Sequence, residues 1–240
     1  MAATPMSIVC PLHNNEQRWY NTQMSASASE QQASPLEFRN AKAAKEVLGP
    51  STLRPLMENW FDNTTDTGKT SQGIRERLLA ILGRGTRRAA LRYETEYVVE
   101  ELINTGQMTV AMANGKTIGM LGYKKHTGHL PSYPSREIFE LCRASVLPAY
   151  QHRGVYPQLK ASVLEQLFRD HPHALILSLT KQDAVKRDNI KRGYQPISAE
   201  DFLSARGCSA QEIAVWSAVT QEQWTQKGWE AFVLDRTQEA

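Results

Sequence analysis

A short turn, Gln151-His152-Arg153-Gly154-Val155-Tyr156, has the residue types of an anion-binding loop. Gly154 lets the backbone turn tightly, because glycine adopts positive φ angles without a steric cost. A helix that begins directly after such a turn points several unpaired N–H groups at one place, and its positive end favours a negative charge there. The turn therefore predicts a binding site for a phosphate group.

The elements on either side of this turn are those needed to hold it. The run from Ile138 to Val146 mixes β-branched and apolar residues and stops before Pro148, which cannot donate to a sheet, so it predicts a strand. Pro157 marks the start of a helix, because proline suits the first turn, where an N–H would be unpaired. A plain strand-turn-helix crossover, whose glycine serves only the turn, is the alternative. The apolar positions of the predicted helix recur at helical spacing: Leu159, Val163, Leu164 and Leu167.

The strand and turn together resemble the signature of the Gcn5-related N-acetyltransferases, a strand ending V-x-P, then Q/R-x-x-G-x-G/A, then a helix. Val146, Pro148, Gln151 and Gly154 match this pattern. Tyr156 stands where the family most often has glycine or alanine. The resemblance implies an α/β (α+β) fold with a central mixed, mostly antiparallel twisted sheet flanked by helices, in which a splayed pair of strands holds acetyl-CoA.

The resemblance also assigns residues to acetyl-CoA, the cosubstrate of this family. The main chain of Val146 and Leu147 would pair with the pantetheine amides in the gap between the splayed strands. The pyrophosphate would lie on the backbone of the turn, from Gln151 to Tyr156. Nearby basic side chains are candidates for the adenosine phosphates, although each is equally well explained as a solvated charge: Arg153, Lys160, Lys186 and Arg187.

Acetyl transfer needs a group that takes a proton from the acceptor ammonium, and Glu140 is the first candidate. Glu140 lies six residues before Val146, where the histone acetyltransferases of the family have a glutamate that acts as general base. Strand alternation predicts that Glu140, Cys142, Ala144 and Val146 share one face. The alternative is a structural ion pair between Glu140 and Arg143 or another neighbouring cation.

Many members of the family have a tyrosine acid four residues before a Gly-aromatic pair. Gly193-Tyr194 matches the pair, but the residue at the acid position is Asn189. Tyr156, Ser178 or Tyr194 could supply a proton donor instead. A thiolate can also leave without an acid, because thiols are acidic enough near neutral pH.

The remaining patterns follow the order of elements of the acetyltransferase fold. Asn114-Gly115 predicts a hairpin, because both central residues of a type I′ turn need positive φ. The apolar run from Ala174 to Leu179 predicts a strand buried on both faces. The other predicted elements are a strand at 36–39, helical stretches at 41–61 and 71–104, hairpin strands at 108–113 and 116–125, a helix at 185–192, a largely helical addition at 199–228 and a last strand at 229–234.

Composition changes near residue 35 divide the chain into two parts. Residues 1–34 contain the biased run SASASEQQAS and predict a flexible N-terminal arm, so the acetyltransferase domain would cover 35–240, with its helical addition near 199–228. The loop from Asp62 to Ser71, on the acceptor side by resemblance, contains Gly68-Lys69-Thr70. A P-loop is excluded because Asn63 stands where its first glycine is needed and a helix, not a strand, precedes it.

The composition is that of a globular protein. With 240 residues, 41% of them hydrophobic, and no long apolar run, the chain predicts a soluble cytoplasmic protein that does not span a membrane. The three cysteines have no metal-ligand spacing, and Cys142, within a strand, is more typical of a core residue than of a nucleophile. A net charge of +3 gives no argument for nucleic acid. The expected partner is an amine acceptor, a small molecule or a protein amine, and a homodimer stays open.

Acetyl transfer by direct attack, with Glu140 as base, is the leading prediction, and two other functions stay open. Glu140-Leu-Cys-Arg143 resembles the E-x-x-R of homoserine-lactone synthases and N-acyl amino acid synthases, which implies a long-chain N-acyltransferase that uses an acyl carrier protein. The other is an acetyl-CoA-binding module with weak catalysis, because the tyrosine acid is missing and Tyr156 replaces a small residue.

Overall fold

The elements follow the predicted order along the part of the chain that the structure describes. This computed structural model describes residues 36–42, 50–64 and 84–239. The predicted arm at 1–34 and residues 65–71 of the predicted loop lie outside these ranges, so both stay predictions. The described elements are β1 (Glu37–Asn40), α1 (Pro50–Thr64), α2 (Arg84–Tyr97), a π-helical turn (Val98–Ile103), β2 (Met108–Ala113), β3 (Lys116–His126), β4 (Ile138–Val146), a 3-10 turn (Pro148–Tyr150), α3 (Val155–Asp170), β5 (Leu175–Thr180), α4 (Asp183–Lys191), β6 (Gln195–Ile197), α5 (Ala199–Ala205), α6 (Ala210–Lys227), β7 (Glu230–Asp235) and a terminal 3-10 turn (Arg236–Glu239).

The strands form one mixed sheet in the order β1-β2-β3-β4-β5-β7-β6. β4 and β5 are parallel, whereas the other neighbouring pairs are antiparallel. The β2–β3 hairpin turns at Asn114 and Gly115, whose φ angles are 52° and 70°, as a type I′ turn requires. An α/β fold with a mostly antiparallel mixed sheet, predicted from the sequence, is thus confirmed.

The two parallel strands separate towards their carboxyl ends. Their pairing begins at Ile138 and Leu175 and its last pair joins Leu141 to Ser178. Beyond this pair, β4 continues to Val146 beside β3, while β5 continues beside β7. The result is the splayed pair expected from the sequence.

A β-bulge interrupts β4 in the half that pairs with β3 but no longer with β5. Met120 of β3 pairs with Ser145 and Gly122 pairs with Cys142, so two residues of β4 stand opposite one residue of β3. Arg143, inside this bulge, has a φ of 54°. The bulge breaks the strict alternation of side chains, and the prediction that Val146 shares a face with Glu140 is wrong for this reason.

Packing against the two sheet faces defines where these side chains lie. Val146 packs with the core cluster that α3 covers, which includes Phe139, Leu141 and Leu159. Cys142 packs against the cluster that α1 and the π-helical turn cover. A third cluster lies under α5 and α6, and its members include Ile138, Leu177, Phe202 and Trp224.

Several boundaries differ from the sequence prediction for local reasons. α3 begins at Val155, two residues before Pro157, because Gly154 takes a left-handed φ of 73° at the N-cap. The segment predicted as one helical addition divides into α5 and α6, since Gly207 has a φ of 87° and Ser209 caps a new helix with a capping box. The three residues of β6 are too short to give a periodic signal.

Gly128, in the loop after β3, touches the end of α5 at a distance that only glycine permits. A Cβ at Gly128 would lie 2.0 Å from the Ser204 carbonyl oxygen and 2.3 Å from the Gly207 nitrogen, both rigid backbone atoms. We expect Gly128→Ala to lower the melting temperature by about 5 °C or more, since overpacking costs about 1–3 kcal/mol. Gly119→Ala is the control, because its Cβ meets atoms at 3.4 and 3.5 Å. Equal melting temperatures for Gly128→Ala and the wild type would contradict this close contact.

Candidate active site

The turn before α3 has the backbone geometry of an anion site. Gly154 is the N-cap, with a φ of 73°, and the first turn of the helix carries no acidic residue. The N–H groups of Val155 and Tyr156 have no partner within the helix, because the first turn of any α-helix lacks such carbonyls. Pro157 has no N–H, and the N–H of Gln158 donates to the Gly154 carbonyl at 3.3 Å. Two main-chain donors thus point out at the positive end of a long helix.

The side chains of the turn have different surroundings. Gln151 Nε2 donates to the Val146 carbonyl at 3.0 Å, which ties the turn to the end of β4. His152 and Arg153 are exposed, and the Arg153 guanidinium lies 5.7 Å from the centre of the Tyr150 ring. The exposed Arg153 guanidinium leaves the mouth of the turn positive.

The main chain at the end of β4 is partly engaged within the protein. The Val146 carbonyl accepts a second hydrogen bond, from Asn59 Nδ2 at 3.1 Å. The Leu147 N–H donates to Ile118 at 2.9 Å, and its carbonyl accepts from the Tyr150 N–H at 2.8 Å. The Val146 carbonyl thus already accepts two hydrogen bonds, whereas the Leu147 carbonyl accepts one, so the carbonyl with a free acceptor position for a pantetheine amide is that of Leu147.

Glu140 lies one residue before the last pair of β4 and β5, on the face opposite α3. Its Oε2 lies 2.8 Å from Nε2 of His126 and 3.4 Å from Nε of Arg206. Its side chain is 13% exposed, so it is largely but not fully buried. The basic side chains that contact Glu140 are those of His126 and Arg206, rather than the Arg143 considered from the sequence.

Arg143 instead belongs to an aromatic cluster beside Glu140. Its Nη2 donates to Glu94 Oε2 at 2.7 Å, and its guanidinium lies 4.4 Å from the Trp60 ring and 5.1 Å from the Tyr97 ring. Burial raises the pKa of Tyr97, and the neighbouring Cys142 adds to this effect. α1 and α2 therefore form an aromatic wall on the Glu140 side of the sheet, which sequence patterns did not indicate.

Cys142 is poorly suited to act as a nucleophile. Burial of its thiol raises the pKa to about 12, and the nearby Glu140 carboxylate adds to the effect while Arg143 opposes it. Because only the thiolate reacts, we expect iodoacetamide at about pH 8 to label Cys142 roughly 10³-fold more slowly than a free thiol. Peptide mass spectrometry measures this rate, with the guanidinium-unfolded protein as the control. Labelling at the same rate in folded and unfolded protein would contradict it.

On the α3 face, a buried polar network joins α3, β5 and α4. Lys160 is fully buried, and its Nζ donates to Asp188 Oδ2 at 2.9 Å and to Asn189 Oδ1. Asn189 Nδ2 in turn donates to Ser178 Oγ at 3.1 Å. Burial lowers the pKa of Lys160, while its hydrogen bond to Asp188 opposes that change. Lys160 is therefore not free to meet adenosine phosphates, and that prediction is wrong because the residue is an interior one.

Two tyrosines border this network. Burial raises the pKa of Tyr156, and the Asp188 carboxylate adds to it. Burial likewise raises the pKa of Tyr194, whose ring centre lies 4.5 Å from Lys160 Nζ. Both phenols keep their protons at neutral pH, so either one can donate a hydrogen bond.

The structure thus divides the three predicted catalytic residues between the two faces of the sheet. Ser178 and Tyr156 lie on the α3 face, whereas Glu140 lies on the opposite face with His126. The opening between β4 and β5 connects the two faces, because the strands separate directly beyond the Leu141–Ser178 pair. The sequence analysis did not connect His126, Arg206 or the aromatic wall with Glu140, and it placed Lys160 at the phosphates rather than beside Asn189, since these partners come from distant parts of the chain.

Two other kinds of site have no representative in the ranges that the structure describes. Residues 36–42, 50–64 and 84–239 contain no group of His, Cys, Asp and Glu side chains that could hold a metal ion. Within the same ranges, no helix is both long and apolar enough to cross a membrane.

This architecture, a mixed sheet whose central parallel strands separate beside a helix N-terminus, agrees with the fold expected for Gcn5-related N-acetyltransferases. No protein-family model matches the sequence. A search of curated proteins also gave no match.

Three solved structures illustrate the similarity of fold. A Pyrococcus horikoshii protein is 14% identical, with a TM-score of 0.48 over 84% of this chain and 99% of that one. N-acetylglutamate synthase of Neisseria gonorrhoeae, complexed with coenzyme A and N-acetyl-glutamate, is 11% identical, with a TM-score of 0.47 over 84% of this chain and 35% of that one. A Brucella melitensis GNAT family acetyltransferase, in complex with acetyl-CoA, is 18% identical, with a TM-score of 0.39 over 67% of this chain and 83% of that one. The chain spans 44% and 46% of two further acetyltransferase structures, so it matches only a part of some similar proteins.

Proposed function

We propose that this protein is an acyl-CoA-dependent N-acyltransferase that moves an acetyl group from acetyl-CoA to an amine by direct attack. The observation that carries the proposal is the separation of β4 from β5 beyond Leu141 and Ser178, beside the N-terminus of α3. A pantetheine arm is a narrow chain with two amides, and strands that part at this point leave unpaired edge groups for it. The pyrophosphate at its other end suits a helix N-terminus.

The cofactor would be held mostly by main-chain groups. The N–H groups of Val155 and Tyr156 are the donors for the pyrophosphate, and Gly154 keeps side-chain atoms away from it. The exposed Arg153 lies where charge attraction would draw in a phosphate, and the exposed His152 precedes it in the turn. The main chain of Val146 and Leu147, at the end of β4, would supply the contacts for the pantetheine arm.

The chemical step would use both faces of the sheet. Glu140 takes a proton from the acceptor ammonium, and the free amine then attacks the thioester carbon, forming a C–N bond. The C–S bond breaks and its electron pair stays on sulfur, which leaves as a thiolate, and the nitrogen gives up its second proton to solvent or to that thiolate, which leaves a neutral amide. Ser178 and Tyr156, on the α3 face, are the candidate hydrogen-bond donors to this sulfur.

The other functions considered from the sequence receive less support. The resemblance to homoserine-lactone synthases depended on Glu140 and Arg143, but Arg143 is engaged by Glu94 and two aromatic rings. A binding module without turnover would not need a reachable carboxylate beside the opening, and Glu140 supplies one.

Calorimetry with acetyl-CoA, followed by thiol-release assays against a panel of amines, tests the proposal. We expect acetyl-CoA to bind and at least one amine to accelerate the release of coenzyme A. Parallel assays with longer acyl-CoA donors and with acyl carrier protein would identify the chain length. Binding without amine-dependent release would favour the binding module, and no binding would reject the proposal.

A further inference from the structure

Lys160 is a charged residue in the interior that the proposed mechanism does not use. Its ion pair with Asp188, at 2.9 Å, favours the ammonium form, and Asp188 is also paired with Arg192 Nε at 3.0 Å. An ammonium group has three donors and no acceptor. Any neighbouring atom that is hydrogen-bonded to the Lys160 ammonium must therefore be an acceptor.

The direction of the next hydrogen bonds follows from this constraint. The Asn189 atom that contacts Lys160 must be the amide oxygen, because an NH₂ group cannot accept from an ammonium. The NH₂ group of Asn189 then faces Ser178 Oγ, at 3.1 Å, and donates to it. Ser178 accepts this bond, so its own O–H is directed away from Asn189.

Ser178 stands at the point where the cofactor opening begins. It forms the last pair between β5 and β4, and it is 4% exposed. The surrounding charge favours an anion, because Lys160 and Arg192 share the single carboxylate of Asp188. Tyr156 and Tyr194, the phenols next to this cluster, are neutral and add no negative charge.

We propose that Lys160 and Asn189 are positioning residues that orient the Ser178 hydroxyl towards the opening, where it donates a hydrogen bond to the sulfur of coenzyme A. The inference rests on the proposed function, since it needs the thiol to lie between β4 and β5. As the C–S bond breaks, the electron pair passes to sulfur and the hydroxyl stabilises the anion while keeping its own proton. The chain of Lys160, Asn189 and Ser178 would do the work of the tyrosine that many Gcn5-related N-acetyltransferases have at the position of Asn189.

The pKa of the thiol in bound coenzyme A measures this hydrogen bond without any acceptor amine. Ultraviolet absorbance of the thiolate gives the titration, and the complex with desulfo-coenzyme A supplies the background from the protein. A donor to the thiolate should lower the thiol pKa by about one unit relative to free coenzyme A. Ser178→Ala should bring it back close to the free value.

Asn189→Asp tests the direction of the hydrogen bonds. A carboxylate at 189 accepts from both Lys160 and Ser178, so it turns the Ser178 hydroxyl away from the opening with little change in shape. Asn189→Asp should raise the thiol pKa in the otherwise wild-type protein. The same substitution in the Ser178→Ala protein should raise the thiol pKa less. The second background measures what the added negative charge does by itself.

The outcomes separate the inference from the proposed function. If wild-type protein fails to bind coenzyme A in calorimetry, both are rejected. If coenzyme A binds but its thiol pKa is the same in wild type and Ser178→Ala, the inference alone is rejected. An equal effect of Asn189→Asp in both backgrounds would also reject it, because the carboxylate would then act only by its charge.

Discussion

Replacing Gly154 with glutamate is expected to abolish acetyl-CoA binding while the protein stays folded. Gly154 has a φ of 73°, and a Cβ there would meet only the side-chain nitrogen of Gln158, at 3.5 Å. The backbone strain costs about 1–2 kcal/mol, which the fold can absorb. The new carboxylate, however, would stand where the pyrophosphate is expected, and like charges in contact cost several kcal/mol, or at least about 100-fold in affinity.

Gly154→Ala is the matched control for this experiment. Alanine imposes the same backbone strain without the charge, so its loss of affinity should be much smaller than that of glutamate. Calorimetry gives the affinities, and circular dichroism with thermal denaturation verifies that both variants fold. A folded Gly154→Glu protein that binds acetyl-CoA as tightly as the wild type would remove the pyrophosphate site from this turn.

The sequence predicted the elements around the turn well, because the signals there are local. The Asn114-Gly115 turn, the strand ending at Val146 and the glycine before α3 each follow from the φ angles or hydrogen bonds that single residues allow. The bulge in β4 has no such signal. Arg143 lies in the bulge and packs against the Trp60 and Tyr97 rings, and the bulge moves Val146 to the other face of the sheet.

The site itself was only partly predictable for the same reason. Glu140 and Asn189 were found because each lies at a fixed spacing from a residue of a family motif: Glu140 six residues before Val146, and Asn189 four residues before Gly193. Their partners are set by the fold: Arg206 reaches Glu140 from the end of α5, and Lys160 reaches Asn189 from α3. A prediction from sequence normally places charged residues such as Lys160 and Arg206 on the surface, because most charged residues are exposed. Only the three-dimensional structure shows that Lys160 is interior.

Glu140→Gln is expected to lower kcat by roughly 10²- to 10⁴-fold, the range for a lost general base. Glutamine keeps the size of the side chain and can still contact His126 and Arg206, but it cannot take the proton of the acceptor ammonium. The acidic limb of the pH-rate profile should disappear, because the amide of glutamine does not ionise. Affinity for acetyl-CoA should not change, because Glu140 lies on the face opposite α3.

Arg206→Gln separates a catalytic Glu140 from a structural one. Arg206 lies 3.4 Å from Glu140 and its side chain is 45% exposed, so its loss leaves the carboxylate and the closer His126 contact in place. If Glu140 is the base, Glu140→Gln should reduce kcat far more than Arg206→Gln does, while the two melting temperatures stay similar. Rates with the best amine from the thiol-release screen, measured across the pH range, give the comparison. If Glu140→Gln keeps the wild-type pH profile and loses only thermal stability, then Glu140 holds β3, β4 and α5 together and the base is another residue.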